Sequence, residues 1–198
     1  MYSQNNEEQI ITKALEGITG SFLDIGAFDG KALSNTYRLV ELGWSGVCVE
    51  PSPCVFVRLA ELHKDNPKIS LVNAAITPGT AGTLCPWYDS NGDGVSSVSA
   101  AHKDKWEAGS TIRFNKHWVY TMPLGVLFES FGTQHEFINI DVESINIDLF
   151  RALPWTQLTA TRVICVEHDG HVNEMRQIAE QYGFRPIGQN AENVIMSR

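Results

Sequence analysis

Four carboxylates in this chain, Asp24, Glu50, Asp141 and Glu167, stand where apolar runs end. Asp24 belongs to the stretch Phe22-Leu-Asp-Ile-Gly-Ala-Phe-Asp-Gly30, a hydrophobic run that passes into a glycine turn. Gly26 lets the backbone approach a ligand with no Cβ in the way, and Gly30 permits a tight passage into a following helix. A dinucleotide-binding turn uses G-x-G-x-x-G, with the pyrophosphate resting on the helix N-terminus. Here the run is Gly26-Ala27-Phe28-Asp29-Gly30, which lacks the middle glycine and places a carboxylate where a diphosphate would be repelled. Asp24 and Asp29 suit a ligand carrying an ammonium and a sulfonium. S-adenosyl-L-methionine carries both.

Glu50 closes Val47-Cys-Val-Glu50, twenty-six positions after Asp24. A carboxylate there can accept hydrogen bonds from both ribose hydroxyls of a nucleoside. The competing reading is a solvent-facing acid at a strand end, and the adjoining glycine loop favours the ribose.

Transfer of a methyl group from a sulfonium is an in-line displacement. The protein aligns the two reactants and takes a proton from the acceptor. Asp141 and Glu143 are the first candidates for that work, because they share a face if the strand continues through them. Alternatively, Asp141 caps the next helix and Glu143 is a solvated loop acid. His168 could serve as a base near neutral pH, or could be a surface residue of the turn Glu167-His-Asp-Gly170. Asp141 with Glu167 or Asp169 could hold Mg²⁺, which takes few carboxylates and several waters; the site is read without a resident metal. Asp89-Ser-Asn-Gly-Asp-Gly94 begins like a calcium loop, but its twelfth position is Ala100 in place of the bidentate Glu, so it reads as a turn.

The elements that must position these residues alternate. Apolar runs of four to seven residues are separated by segments of helical period, the pattern of a parallel sheet with crossover helices. Strands are expected at Ser21 to Ile25, Gly46 to Glu50, Ile69 to Ile76, Phe137 to Asp141 and Arg162 to Glu167. Helices are expected at Lys31 to Leu42, from Ser52-Pro53 to His63, near Pro123 to Phe131, at Ile145 to Leu153 and at Val172 to Tyr182. Residues 1–20 form a helical lead-in. Phe184 to Ile187 and Val194 to Ser197 read as a terminal antiparallel hairpin. From Thr80 to His117 the pattern dissolves into Gly, Ser, Asp and aromatic residues, a span expected to cover an active site. Trp118 to Met122 reads as a short extended piece.

The chain has 198 residues, enough for one α/β domain. Its net charge of −8 and the lack of any Lys/Arg run argue against nucleic-acid binding. No apolar stretch of about 18 residues is present, and Met1 to Glu16 is too polar for a signal peptide, so a cytoplasmic protein is expected. Cys48, Cys54, Cys85 and Cys165 show no CxxC spacing and read as reduced thiols.

The run Asp24-Ile-Gly-Ala-Phe-Asp-Gly30, then Ser34-Asn-Thr36, Gly43-Trp44 and Val49-Glu50-Pro51-Ser52-Pro53, resembles the first two motifs of the FkbM-type methyltransferases in order and spacing. Ser96-Ser97-Val98 resembles a serine pair of that family. Ile138-Asn-Ile-Asp-Val-Glu143 is similar to its K-I-D-V-E-G signature, with Asn139 for the Lys and Ser144 for the Gly. The resemblance implies a Rossmann-like class I methyltransferase fold: a mostly parallel seven-stranded sheet, a C-terminal antiparallel hairpin and helices on both faces. It implies S-adenosylmethionine as methyl donor, S-adenosyl-L-homocysteine as product, and O-methylation of a sugar or small hydroxylated metabolite. The cofactor residues it implies are Asp24, Gly26, Ala27, Phe28, Asp29, Gly30, Asn35, Glu50, Pro51 and Ser52. Asn139 and Ser144 leave room for a rival, a methyltransferase-like module that binds cofactor or a partner without catalysis.

Overall fold

The computed structural model describes residues 1–90 and 94–198, so the centre of the calcium-like run, residues 91–93, lies outside the described residues. The main sheet has seven strands in the order β3-β2-β1-β7-β8-β10-β9. These are β1 (Ser21–Ile25), β2 (Ser45–Val49), β3 (Ile69–Val72), β7 (Phe137–Ile140), β8 (Val163–Glu167), β9 (Arg185–Gln189) and β10 (Asn193–Ser197). Every neighbouring pair is parallel except those of β10, which runs against both β8 and β9. The terminal hairpin read from the sequence is therefore present.

Strand alternation sends side chains to two separate cores. Leu23, Ile25, Ile138, Ile140, Ile164 and Val166 face one side. There they pack on α5 (Leu124–Phe131), α6 (Asn146–Ala152) and α7 (Val172–Glu180). Phe22, Cys48, Phe137, Val163 and Cys165 face the other, against α1 (Glu7–Ala14), α2 (Tyr37–Glu41) and α3 (Pro53–His63). Asp24 and Asn139 belong by alternation to this second face, and the register sets them side by side between Cys48 and Cys165. The four cysteines are free thiols.

Three expectations change. The helix after β1 begins only at Tyr37, because side chains capture the backbone N–H groups ahead of it. Asp29 Oδ1 accepts from Lys31 and Ala32, and Ser34 Oγ accepts from Thr36 and Tyr37. Such local bonds compete with helix formation. The third strand stops at Val72, where Asn73 Nδ2 donates to the carbonyls of Glu50 and Pro51. The chain resumes as β4 (Ala75–Thr77) in another sheet.

That sheet, ordered β4-β6-β5, draws β5 and the start of β6 from the span that shows no sequence pattern. β5 (Leu84–Asp89) and β6 (Asn115–Pro123) form an antiparallel pair, and α4 (Ala100–Gly109) lies between them in sequence, capped by Ser99 accepting from the His102 N–H. β5 went unread, whereas β6 lengthens the extended piece expected at Trp118 to Met122; the buried apolar positions here are few, the cluster among the described residues being Ala75, Trp87 and Val119. Among the described residues no helix is long and apolar enough to cross a membrane.

Candidate active site

The strand order reverses between β1 and β7, and a cavity of about 320 Å³ opens beyond their carboxyl ends. Ligands of open α/β sheets bind at that place, and the volume falls within the range of small-molecule sites. Its walls come from the loop after β1, the ends of β2 and β7, the start of β4, and the segment carrying Trp87, Ser96 and Trp106.

Gly26 sits at φ 96°, and a Cβ there would collide with the Asp141 carbonyl, so the β1 turn and the β7 end touch only because this residue is glycine. The Gly26 and Ala27 N–H groups both donate to the Val49 carbonyl, which ties the loop to β2. Glu50 then fixes the loop tip. Its Oε2 accepts from the Phe28 N–H at 3.1 Å and its Oε1 from the Ser52 N–H at 2.7 Å. Burial pushes the Glu50 carboxyl up to about 7, against the pull of those two donors. A carboxylate has about four acceptor sites, so two remain for hydroxyls in the cavity.

Behind this loop lies a buried polar chain. Asp24 Oδ2 accepts from Thr36 Oγ1 at 2.6 Å, and its Oδ1 from Asn139 Nδ2 at 2.9 Å. Asn139 Oδ1 in turn accepts from Asn35 Nδ2 at 3.0 Å. Burial raises the Asp24 pKa while the two donors lower it.

On the β7 side, carboxylate oxygens of Asp141, Glu143 and Glu167 lie within 4.8 Å of one another. Burial, then mutual repulsion among these acids, pushes all three well above the usual carboxylate range. β7 ends at Ile140, so alternation does not bring Asp141 and Glu143 together. A turn does, with Glu143 at φ 54° and Ser144 at φ 77°. Ser97 clamps this turn: its hydroxyl donates to the Glu143 carbonyl at 3.2 Å and lies 3.0 Å from Ser144 Oγ. Neither acid caps α6; Asn146 accepts from the Val142 N–H through Oδ1 and donates to Glu167 and Asp169 through Nδ2. Among the described residues, the acids themselves are the one grouping with metal-ligand spacing.

No family model matches the chain, and no curated protein matches it in sequence. Solved structures do. A precorrin-6y C5,15-methyltransferase from Geobacter metallireducens is 10% identical with a TM-score of 0.50, over 96% of this chain and 87% of that one. A METTL16 methyltransferase domain is 9% identical with a TM-score of 0.50, over 96% of this chain and 78% of that one. The chain has the Rossmann-like class I methyltransferase fold.

Of the residues singled out in the sequence, Asp24, Gly26, Ala27, Phe28, Asn35, Glu50, Pro51 and Ser52 line the cavity of this methyltransferase fold, as do Asp141 and Glu143. Three do not. Asp29 spends its carboxylate on the N–H groups of Lys31 and Ala32. Gly30 serves packing, since a Cβ there would press on Leu59 and Leu62 of α3. His168 has both ring nitrogens engaged, Nδ1 accepting from the Gly170 N–H at 3.0 Å and Nε2 facing the Asn190 carbonyl at 3.3 Å. These contacts tie the ring to the turn after β8 and to the β9–β10 turn, away from the cavity lining.

The sequence reading missed Gln4, Glu192 and Asn193. The first comes from a lead-in strap in which Ser3 bridges to Leu33, and the others from the β9–β10 turn, yet all three line the cavity. Gln4 and Asn5 both donate to the Glu192 carboxylate at 2.9 Å. The only sequence signal was the polarity of Gly188 to Asn193 inside an apolar hairpin.

Proposed function

We propose that this protein is an S-adenosylmethionine-dependent methyltransferase that methylates a hydroxyl of a sugar or other small hydroxylated metabolite, as the FkbM-type motifs imply. The observation that carries the reading is a single cavity at the strand ends lined by Gly26, Glu50, Asp141 and Glu143 together. The Glu50 carboxylate, held by two backbone N–H groups, has acceptor capacity left for the ribose hydroxyls. The cationic methyl donor is favoured over a diphosphate cofactor by the carboxylates around it. S-adenosylmethionine supplies an electrophilic methyl on sulfur; the protein holds it, orients the acceptor and takes the hydroxyl proton.

Asp141 and Glu143 are the groups for that proton. Their raised affinity places a base nearer neutral pH than an ordinary carboxylate, where proton transfer is efficient. Asn139 and Ser144 fill the Lys and Gly positions of the signature with working contacts, to Asp24 and to Ser97 respectively. The test is transfer of labelled methyl from S-adenosylmethionine to a panel of glycans and hydroxylated metabolites. Product labelled on oxygen supports the proposal; cofactor binding without transfer to any acceptor would favour the non-catalytic module.

A further inference from the structure

Six carboxyl groups line the cavity, Asp24, Glu50, Asp141, Glu143, Glu167 and Glu192, and among the described residues no lysine, arginine or histidine does. The basic groups that act on Glu143 are not among the lining residues: His102 Nε2 at 3.6 Å, and Lys105 through its charge. S-adenosylmethionine brings a single net positive charge; burial and mutual repulsion hold the acids left without a cation in their protonated form, and a further cation beside them lets them ionise. The imbalance is concentrated at the acceptor end, where Glu143, Glu167 and Glu192 meet.

A second observation there is independent of the acids. Asn193 is 5% exposed and lines the cavity, and its Oδ1 has no hydrogen-bond partner. Its Nδ2 is committed to Glu7 Oε1 at 3.0 Å, which fixes the amide orientation and leaves an acceptor oxygen unpaired. A buried acceptor without a donor is costly, so a ligand that supplies an N–H gains by meeting it.

We infer that the acceptor is a small hydroxylated molecule carrying a protonated amine, its ammonium seated among Glu192, Glu167 and Asn193 with a hydroxyl presented to Asp141 and Glu143. A phosphorylated or carboxylated acceptor is excluded by the same wall, since anions would face acids with no basic side chain to pair with. The inference rests on the methyl-donor reading and deepens it by naming the charge class of the acceptor.

The test is calorimetry on the full chain, first with S-adenosylhomocysteine, then on the saturated complex with matched probes: glucosamine against glucose, ethanolamine against ethylene glycol, and glucose 6-phosphate. Each amine should bind about tenfold or more tightly than its neutral twin, with the phosphate weakest. Glu192→Gln should remove most of that preference, and Glu143→Gln part of it, each checked for folding by its melting transition. Equal binding of amine and neutral probe, or preference for the phosphate, overturns the inference while leaving the methyl-donor reading intact. Submillimolar Mg²⁺ binding that abolishes the amine preference overturns it too, by assigning the acids to a metal. Failure of S-adenosylhomocysteine to bind overturns both.

Discussion

Asn139 Nδ2 donates to Asp24 Oδ1 at 2.9 Å from the adjacent strand. The amide supplies a hydrogen bond without a compensating charge, and it relays the contact to Asn35. Asn139→Leu would strand a buried carboxylate oxygen on one side and an amide donor on the other. It should cost about 2–4 kcal/mol, taking about 1–2 for each group left unsatisfied. Urea unfolding that shows a loss below about 0.5 kcal/mol would contradict this account of the pair.

Ser144 occupies a left-handed backbone position, φ 77°, that glycine adopts without strain. Its hydroxyl meets Ser97, so Ser144→Gly exchanges relief of about 1 kcal/mol of strain for a hydrogen bond of similar size and should leave stability nearly unchanged. Ser144→Val keeps the strain, enlarges it with a β-branched side chain and removes the hydroxyl. It should lower the melting temperature and, by moving Glu143, the turnover rate as well. Equal behaviour of the two variants would show that the turn is not held as described.

The ends of strands are legible in the sequence because an apolar run that stops at a carboxylate marks both a strand and the tip that faces the cavity, as Asp24, Glu50 and Asp141 do. Glu143 was named for the wrong reason, since the signal for its place is a backbone turn that alternation cannot describe. Gln4 and Glu192 are 188 positions apart and meet through one side-chain bond, a proximity that follows from where the strap crosses the sheet and leaves no local pattern. His168 lies outside the cavity lining with both ring nitrogens in contact, and a titratable residue after a strand looks the same in sequence whether its nitrogens are free or already bonded.

The acids that line the cavity make stability depend on pH. Burial raises the folded-state pKa of Glu50 from 4.5 to about 7, and burial with repulsion raises Asp141, Glu143 and Glu167. A group raised in the folded state contributes its stability below the unfolded value and loses it as pH climbs through the folded value. The ligand-free protein should therefore melt at a lower temperature at pH 9 than at pH 6, and Glu167→Gln should flatten the slope. A melting temperature that rises across this interval contradicts the assignment.

Glu143 and His168 separate catalysis from scaffolding. Glu143→Gln should lower kcat by about 10²–10⁴-fold with little effect on cofactor affinity, as expected for loss of a general base. His168→Ala should reduce stability through its lost contacts to Gly170 and Asn190, with the pH profile of kcat unmoved. A profile that loses its lower limb in the His168 variant would restore that residue to the reaction.

The most direct measurement is the affinity of S-adenosylmethionine for the wild-type chain, Glu50→Ala and Asp29→Ala, by calorimetry at pH 7.5. One molecule should bind per wild-type chain, Glu50→Ala should weaken it by about tenfold or more through loss of the ribose contacts, and Asp29→Ala should change it by less than about threefold. Absence of binding at high micromolar concentration, or tighter binding of NAD than of S-adenosylmethionine, would contradict the account.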